Sequence, residues 1–284
     1  MPEKIRLDRL HSLTHGNAIY WMAFSSDSKR VATASLDNTV RIWDVSNGEL
    51  VAKLSGHGDG IAFVGYLADG RIVTASLDRT LKCWPAEGGT AQATFTGHQD
   101  YLTCAAAARS GTLLASGAFD KTLRLWDAHT NMAVAVLNGH EASLQCVSIR
   151  GDSKVVASGG DDHSIRLWNV ESKSLIRLIA GHSATVEGLA FSPDDTLLAS
   201  AGADGTIRLW TRDGDSVAVL KTNSGRVKSV VFSPNGRWLV SGGADGMLRV
   251  WDHVNTRTVL ANPAHKNTIF GVAFSPDGKL LASA

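Results

Sequence analysis

The chain is 284 residues long and nearly neutral, with 28 lysines and arginines against 27 aspartates and glutamates and a formal net charge of +1. A balance this even gives no long-range field toward nucleic acid or an anionic membrane, and no apolar run approaches the ~18 residues that a membrane-spanning helix needs. Three cysteines, Cys83, Cys104 and Cys146, lack the paired short spacing of a zinc site; they read as small buried residues, and an unpaired set suits a reducing compartment, cytoplasm or nucleus.

Residues 1–14 precede a histidine, His15, from which a repeat of about forty residues runs to the C-terminus. Tryptophan marks each copy, as Trp43, Trp84, Trp126, Trp168, Trp210 and Trp251, at separations of 41, 42, 42, 42 and 41 residues. Six residues before each Trp stands an aspartate: Asp37, Asp78, Asp120, Asp162, Asp204 and Asp245. Four residues earlier again stands a hydroxyl: Thr33, Thr74, Ser116, Ser158, Ser200 and Ser241. In five copies a histidine precedes the Trp by 27 or 28 residues, as His15, His57, His98, His140 and His182; the sixth copy has Asn223 there. The repeats therefore span 15–56, 57–97, 98–139, 140–181, 182–222 and 223–263, with a partial seventh over 264–284. A unit this small cannot bury its apolar faces alone and must stack on its neighbours, so the chain is expected to fold as one domain.

Within a repeat, short β-branched runs alternate with turn residues. In the fifth copy Val186–Phe191 and Thr196–Ser200 flank the turn Ser192-Pro193-Asp194-Asp195, and Thr206–Trp210 and Ser216–Leu220 flank a turn at Arg212–Asp215. Each copy thus reads as a four-stranded antiparallel meander, and helical periodicity is absent. Twisted meanders of this size close by radial packing. The expected fold is all-β, a seven-bladed β-propeller whose seventh blade is incomplete. Ala264-His265 opens that last copy and Phe274–Ala284 provides two strands, without an Asp turn, third strand or Trp. Residues 1–14 are expected to supply a closing outer strand of this blade, with Lys4 to Leu13 lying where that strand falls. One strand is then still missing: either the chain is a piece of a longer protein, or Lys4-Ile5-Arg6-Leu7-Asp8 stands in for the third strand.

The Gly-His starts (Gly56-His57, Gly97-His98, Gly139-His140, Gly181-His182) and the Trp-Asp ends (Trp43-Asp44, Trp126-Asp127, Trp251-Asp252) resemble the WD-repeat β-propellers over nearly the whole chain. Pro85, Asn169 and Thr211 depart from the terminal Asp, and Asn223 from the histidine. The resemblance implies a hydrogen-bonded chain inside each blade, from indole to hydroxyl to imidazole to aspartate. Ser, His and Asp together also suggest a nucleophilic triad, but a triad occurs once per active site and this set recurs along the chain. A carboxylate at a buried turn is tolerable only when fully paired, which gives the same residues a structural role.

The resemblance further implies a platform for proteins or peptides, with no cofactor. The residues just before each turn aspartate, on the face near the channel mouth in that family, are Leu36, Leu77, Phe119, Asp161, Ala203 and Ala244. Apolar residues therefore cluster over the first three blades. Tyr101 extends the cluster and Asp161 with Asp162 gives it an acidic border, so a protein partner is expected on Leu36, Leu77, Tyr101, Phe119, Asp161 and Asp162. The alternative is an enzyme or ligand-binding propeller that uses the channel. Innermost strands such as Ile19–Ala23, Tyr101–Ala105 and Leu144–Ser148 are nearly free of ionisable groups, which argues against catalysis. His11, His129, His163 and His253 share no short motif with an acid or cysteine, so no metal site is expected.

Overall fold

The computed structural model describes residues 7–222 and 225–284. Strands form wherever the β-branched runs lie. The first sheet holds β1 (Ile19–Phe24), β2 (Arg30–Ser35), β3 (Thr39–Asp44) and β4 (Leu50–Ser55). The second holds β5 (Ile61–Tyr66), β6 (Ile72–Ser76), β7 (Leu81–Trp84) and β8 (Ala93–Phe95), and the third β9 (Leu102–Ala107), β10 (Leu113–Ala118), β11 (Leu123–Asp127) and β12 (Met132–Leu137). The fourth holds β13 (Leu144–Ile149), β14 (Val155–Gly160), β15 (Ile165–Asn169) and β16 (Ser174–Ile179), and the fifth β17 (Val186–Phe191), β18 (Leu197–Gly202), β19 (Thr206–Thr211) and β20 (Ser216–Lys221). The sixth holds β21 (Val227–Phe232), β22 (Leu239–Gly243), β23 (Met247–Asp252) and β24 (Arg257–Pro263). All six are antiparallel meanders in sequence order, and β25 (Val272–Phe274) with β26 (Leu281–Ser283) adds a two-stranded sheet.

The innermost strands pack on one another around an axis, and β25 packs against both β21 and β1, which brings the two ends of the array together. The architecture is an all-β propeller. In the four-stranded sheets the second strands are almost wholly buried, as β10 and β14 show, whereas the fourth strand β16, outermost in its sheet, is exposed along most of its length. Each repeat tryptophan wedges between two sheets. Trp84 packs on Ala32, Val40 and Ile42 of the first sheet, Trp126 on Val73 and Ala75 of the second, and Trp43 on Ala273 and Ala282 of the hairpin. The interface of the sixth sheet with the hairpin is built from Val240, Leu248, Val250, Ile269 and Val272, and no repeat tryptophan enters that cluster among the described residues.

At the turn before each third strand the residue after the aspartate adopts a left-handed backbone. Gly205 does so at φ 77°, and Asn38, Arg79, Lys121 and His163 do so without being glycine. His163 is therefore a turn residue. The expected closing strand is not found: residues 7–14 form no strand, and residues 1–6 lie outside the described part of the chain. Side chains hold this segment where a ladder was expected. Leu7 packs on the cluster of the sixth sheet and hairpin, Leu13 on that of the hairpin and first sheet. His11 Nε2 lies 3.1 Å from the Val45 carbonyl, and the Arg41 guanidinium donates to the Thr14 carbonyl at 2.7 Å.

Candidate functional site

The recurrent polar residues meet inside each sheet. In the third, Trp126 donates its indole N–H to Ser116 Oγ at 2.8 Å, Ser116 Oγ lies 2.8 Å from His98 Nε2, and His98 Nδ1 lies 2.8 Å from Asp120 Oδ2. Asp120 also accepts from the Gln99 N–H at 2.9 Å and the Thr122 hydroxyl at 2.7 Å. The first, second, fourth and fifth sheets repeat this set around Asp37, Asp78, Asp162 and Asp204. Burial opposes ionisation of Asp37, but hydrogen bonds from Thr39, the Gly16 N–H and His15 outweigh it and hold the carboxyl at about 2. The same balance holds Asp78, Asp120, Asp162 and Asp204 below the usual carboxylate range. With the carboxylate ionised, Nδ1 carries the imidazole proton, and Nε2 accepts from the hydroxyl. The hydroxyl then accepts from the indole. Ser116 is 0 % exposed, so no substrate reaches it, and the set cements the blade.

In the sixth sheet Trp251 keeps its bond to Ser241 at 2.9 Å, and Arg249 grips Asp245 at 2.6 Å. Asn223, aligned with the histidines of the other copies, lies outside the described residues. In the hairpin His265 Nε2 lies 2.8 Å from Ser283 Oγ.

The loops entering each innermost strand and the aspartate turns share one face, which we term the top. Backbone bonds clip the two together: Leu36 N–H to Ala18, Leu77 to Gly60, Phe119 to Tyr101 and Asp161 to Ser143, all at 2.9 to 3.0 Å. Leu36 and Leu77 close on either side of Gly60, where a Cβ would sit 2.6 Å from Leu36 Cδ2 and 3.4 Å from Leu77 Cδ1. Both leucines are half-buried. Tyr101 and Phe119 form a tilted ring pair with centroids 6.0 Å apart, and they stay 46 % and 41 % exposed. The two acidic candidates part company. Asp161 accepts from Gln145 Nε2 and from Thr185 Oγ1 of the fifth blade, each at 3.0 Å. Asp162 belongs to the internal network, and its side chain is only 8 % exposed.

The channel mouth has a feature missed by reading the innermost strands of the first, third and fourth copies alone. Each innermost strand carries a β-bulge at its second residue, at Tyr20, Ala62, Thr103, Gln145, Glu187 and Lys228. The bulges turn these residues toward a cavity of about 130 Å³ on the axis, which Phe270 completes. Tyr20 stacks on Phe270 at 4.5 Å. Opposite in character, Glu187 binds Lys228 at 2.7 Å and also the Arg226 guanidinium, with the Glu187 side chain 5 % exposed. The channel is therefore not free of ionisable groups: the corresponding strands of the fifth and sixth copies supply an acid and a base. Cys104 and Cys146 also line it, but burial pushes the Cys104 thiol up to about 12 and Cys146 well above its usual value, so neither is a ready nucleophile.

A family model described as WD domain, G-beta repeat matches residues 7–44, 48–85, 89–127, 132–169, 173–211, 214–252 and 256–284. A comparison with curated proteins gave no match. With its repeats matched from residue 7 to the last, and its tryptophans, hydroxyls, histidines and aspartates joined in each of the first five blades, the chain belongs to the WD-repeat family of β-propellers.

Proposed function

We propose that this WD-repeat propeller is a non-catalytic scaffold that docks a peptide or protein on its top face, over Leu36, Leu77, Tyr101 and Phe119, with Asp161 at the border. The observation that carries this reading is the solvent-facing pair Tyr101 and Phe119 beside the two leucines gathered at Gly60. Aromatic anchors with a polar rim are the usual energetic centre of a protein interface. Asp162 has no place in such a contact, because its carboxylate is committed to His140 at 2.7 Å. WD-repeat propellers generally serve as interaction platforms, and the repeat serine-histidine-aspartate sets are sealed, which supports a role without chemistry. We also read the protein as a cytoplasmic or nuclear one without affinity for nucleic acid or membranes, in keeping with its net charge of +1. The hairpin β25–β26 is, in this reading, the inner half of a seventh blade, supported by its place between β21 and β1 and by the His265–Ser283 pair.

A second reading, ligand binding in the channel, draws on the ring of bulged residues with Glu187, Lys228 and the Tyr20–Phe270 stack. Panning a random peptide library on the immobilised chain separates the two. Peptides selected on the wild type are expected to lose about tenfold or more in affinity for Phe119→Asp and to keep it for Val254→Asp, on an exposed turn away from the patch. Equal binding to Phe119→Asp removes the top-face site, and loss confined to Lys228→Met favours the channel.

A further inference from the structure

We propose that a notch between the first and second blades, at the end of the sheets opposite the top face, binds a small zwitterion of the amino-acid class, its carboxylate held by Tyr66, Lys29 and Arg30 and its ammonium by Asp27 and Asp44. The notch shares no residue with the top-face patch or the channel cavity, so it stands or falls apart from the docking reading.

The notch is a break in a ring of turns. At this end of the molecule the turns between first and second strands meet from blade to blade. A Cβ on Gly111 of the third blade would lie 2.7 Å from Ala68 Cβ of the second, and Ser110 Oγ of the third lies 3.3 Å from Ser153 Oγ of the fourth. The Gly151 and Asp152 N–H groups of the fourth donate to Asp195 of the fifth at 2.8 and 3.1 Å. A Cβ on Gly236 of the sixth would lie 3.4 Å from Pro193 Cγ of the fifth, and one on Gly278 of the hairpin 3.7 Å from Pro234 Cδ of the sixth. The Asp277 N–H of the hairpin donates to Ser28 Oγ of the first at 3.3 Å. Between the first and second blades these turns share no hydrogen bond among the described residues, and a Cβ on Gly70 would meet only Ala86 of its own blade, at 3.6 Å. Arg30 spans the opening with two long contacts, to the Ala86 carbonyl at 3.5 Å and to Glu87 at 3.3 Å. What remains is a cavity of about 440 Å³, inside the ~300–1,000 Å³ of small-molecule sites.

Tyr66 lines this cavity and ends β5, and at the same position Phe24, Phe191, Phe232 and Phe274 end β1, β17, β21 and β25. A phenyl ring therefore suffices for packing at that position, and the hydroxyl is an addition to it. That hydroxyl is buried with no hydrogen-bond partner among the described residues, which destabilises a fold unless something else meets it. Burial pushes its pKa up, so it stays a donor. The charges beside it are unsatisfied in both signs. Asp27 accepts the Ser25 hydroxyl and the Lys29 N–H on Oδ1, Asp44 accepts the Ser46 hydroxyl and N–H on Oδ1, and neither Oδ2 has a donor among the described residues. The Lys29 ammonium has no ion-pair partner among them either, and Arg30 has only its long contacts. An anion alone would face Asp27, Asp44 and Glu87, and a cation alone would face Lys29 and Arg30. A ligand that carries both charges meets both sets, and the Tyr66 ring and Ala86 offer its side chain an apolar wall.

The chain has three tyrosines, and they report on three places: Tyr66 on the notch, Tyr20 on the channel and Tyr101 on the top face. With its tyrosine rings isotopically labelled, the full chain is titrated with L-leucine and followed by NMR. The comparison probes are N-acetyl-L-leucine, which keeps only the carboxylate, and L-leucinamide, which keeps only the ammonium. Saturable shifts at Tyr66 that leave Tyr20 and Tyr101 in place are expected, with either half-ligand bound about tenfold or more weakly. Tyr66→Phe keeps the packing that Phe24 and Phe191 use, so it should melt no lower than the wild type. By calorimetry it should bind L-leucine about fivefold or more weakly, and Lys29→Met and Asp27→Asn likewise. No saturable shift at Tyr66, a shift at Tyr20 or Tyr101 in its place, equal binding of a half-ligand, or undiminished binding by Tyr66→Phe overturns the proposal. A lower Tm for Tyr66→Phe overturns it as well, since the hydroxyl then serves the fold.

Discussion

Trp126 reaches from β11 to β10 to donate its indole N–H to Ser116 Oγ at 2.8 Å, and the same bond at 2.8 to 2.9 Å recurs in all six four-stranded blades. It ties the third strand to the second from inside the sheet, and His98 and Asp120 extend the tie to the loop that enters the blade. Asp120→Ala removes the acceptor of the His98 ring, the Gln99 N–H and the Thr122 hydroxyl together. Because the His98 ring is buried and the Thr122 hydroxyl half-buried, a loss of about 1–3 kcal/mol is expected in urea denaturation. Ser116→Ala combined with Asp120→Ala should cost less than the sum of the two, since both act on one chain of bonds. Full additivity would mean the residues act separately.

Acid should weaken the fold in two stages. Burial, ahead of the opposing pull of Asp120 and Asp204, lowers the pKa of His98 and His182, and burial does the same to His15 despite Asp37. Below about 6.5 the unfolded chain takes up protons at these imidazoles before the folded one does, so stability falls with falling pH. The network carboxylates act in the same direction lower down. They are ionised in the fold well below their ordinary value of about 3.9, so their contribution is complete above that value and is lost as pH drops toward about 2, where Asp37 titrates. Melting temperatures between pH 8 and pH 3 should therefore be level at the top and fall first below about 6.5 and again below about 4. A Tm that rises on acidification to pH 5 would contradict the assignment of neutral, buried imidazoles.

Most of the fold was legible because the same constraint is written many times. A Trp, hydroxyl, Asp and His at fixed spacing place four strands and their turns, and strands appear where the fifth copy was read, at Val186–Phe191, Leu197–Gly202, Thr206–Thr211 and Ser216–Lys221. What repeats poorly was read poorly. The N-terminal segment opens a matched repeat as residues 48–55 do, but residues 7–14 form no strand, and their placement rests on tertiary contacts of Leu7 and Leu13. Glu187 and Lys228 were visible in the sequence, but their orientation depends on bulges that turn the second residue of each innermost strand inward. Asp161 and Asp162 look alike in sequence. A one-residue step along the turn sends the first across to Thr185 and the second into its own blade.

Gly117 should not accept a side chain. It pairs with Cys104 on β9, and a Cβ there would lie 2.8 Å from Cys104 Sγ and 2.8 Å from Leu144 Cβ of the next blade. The first and second blades place Ala34 and Ala75 at this position, opposite Trp21 and Phe63. The interface between the third and fourth blades is thus closed more tightly. Gly117→Ala is expected to lower stability by about 1–3 kcal/mol through overpacking. Cys104→Gly in the same chain should recover part of the loss by making room on one side. If Gly117→Ala melts like the wild type, the two blades have more slack than these contacts allow.

Glu187 is the most confined charge at the channel mouth, with its side chain 5 % exposed and its carboxylate shared between Lys228 at 2.7 Å and Arg226. Removing one partner of a fully buried ion pair costs about 3–5 kcal/mol, because the other charge is left without compensation. Here the cations are better placed to relax, since the Lys228 side chain is 24 % exposed and that of Arg226 52 %. Glu187→Gln should therefore cost less, about 1–2 kcal/mol, and most of that should come from Lys228. The double change Glu187→Met with Lys228→Met discriminates between loss of attraction and a stranded charge. If the stranded ammonium is the main cost, the double variant melts higher than Glu187→Met alone, because two apolar side chains then face Tyr20 and Phe270 across the cavity. If the attraction itself is the main contribution, the double variant is no more stable than the single one.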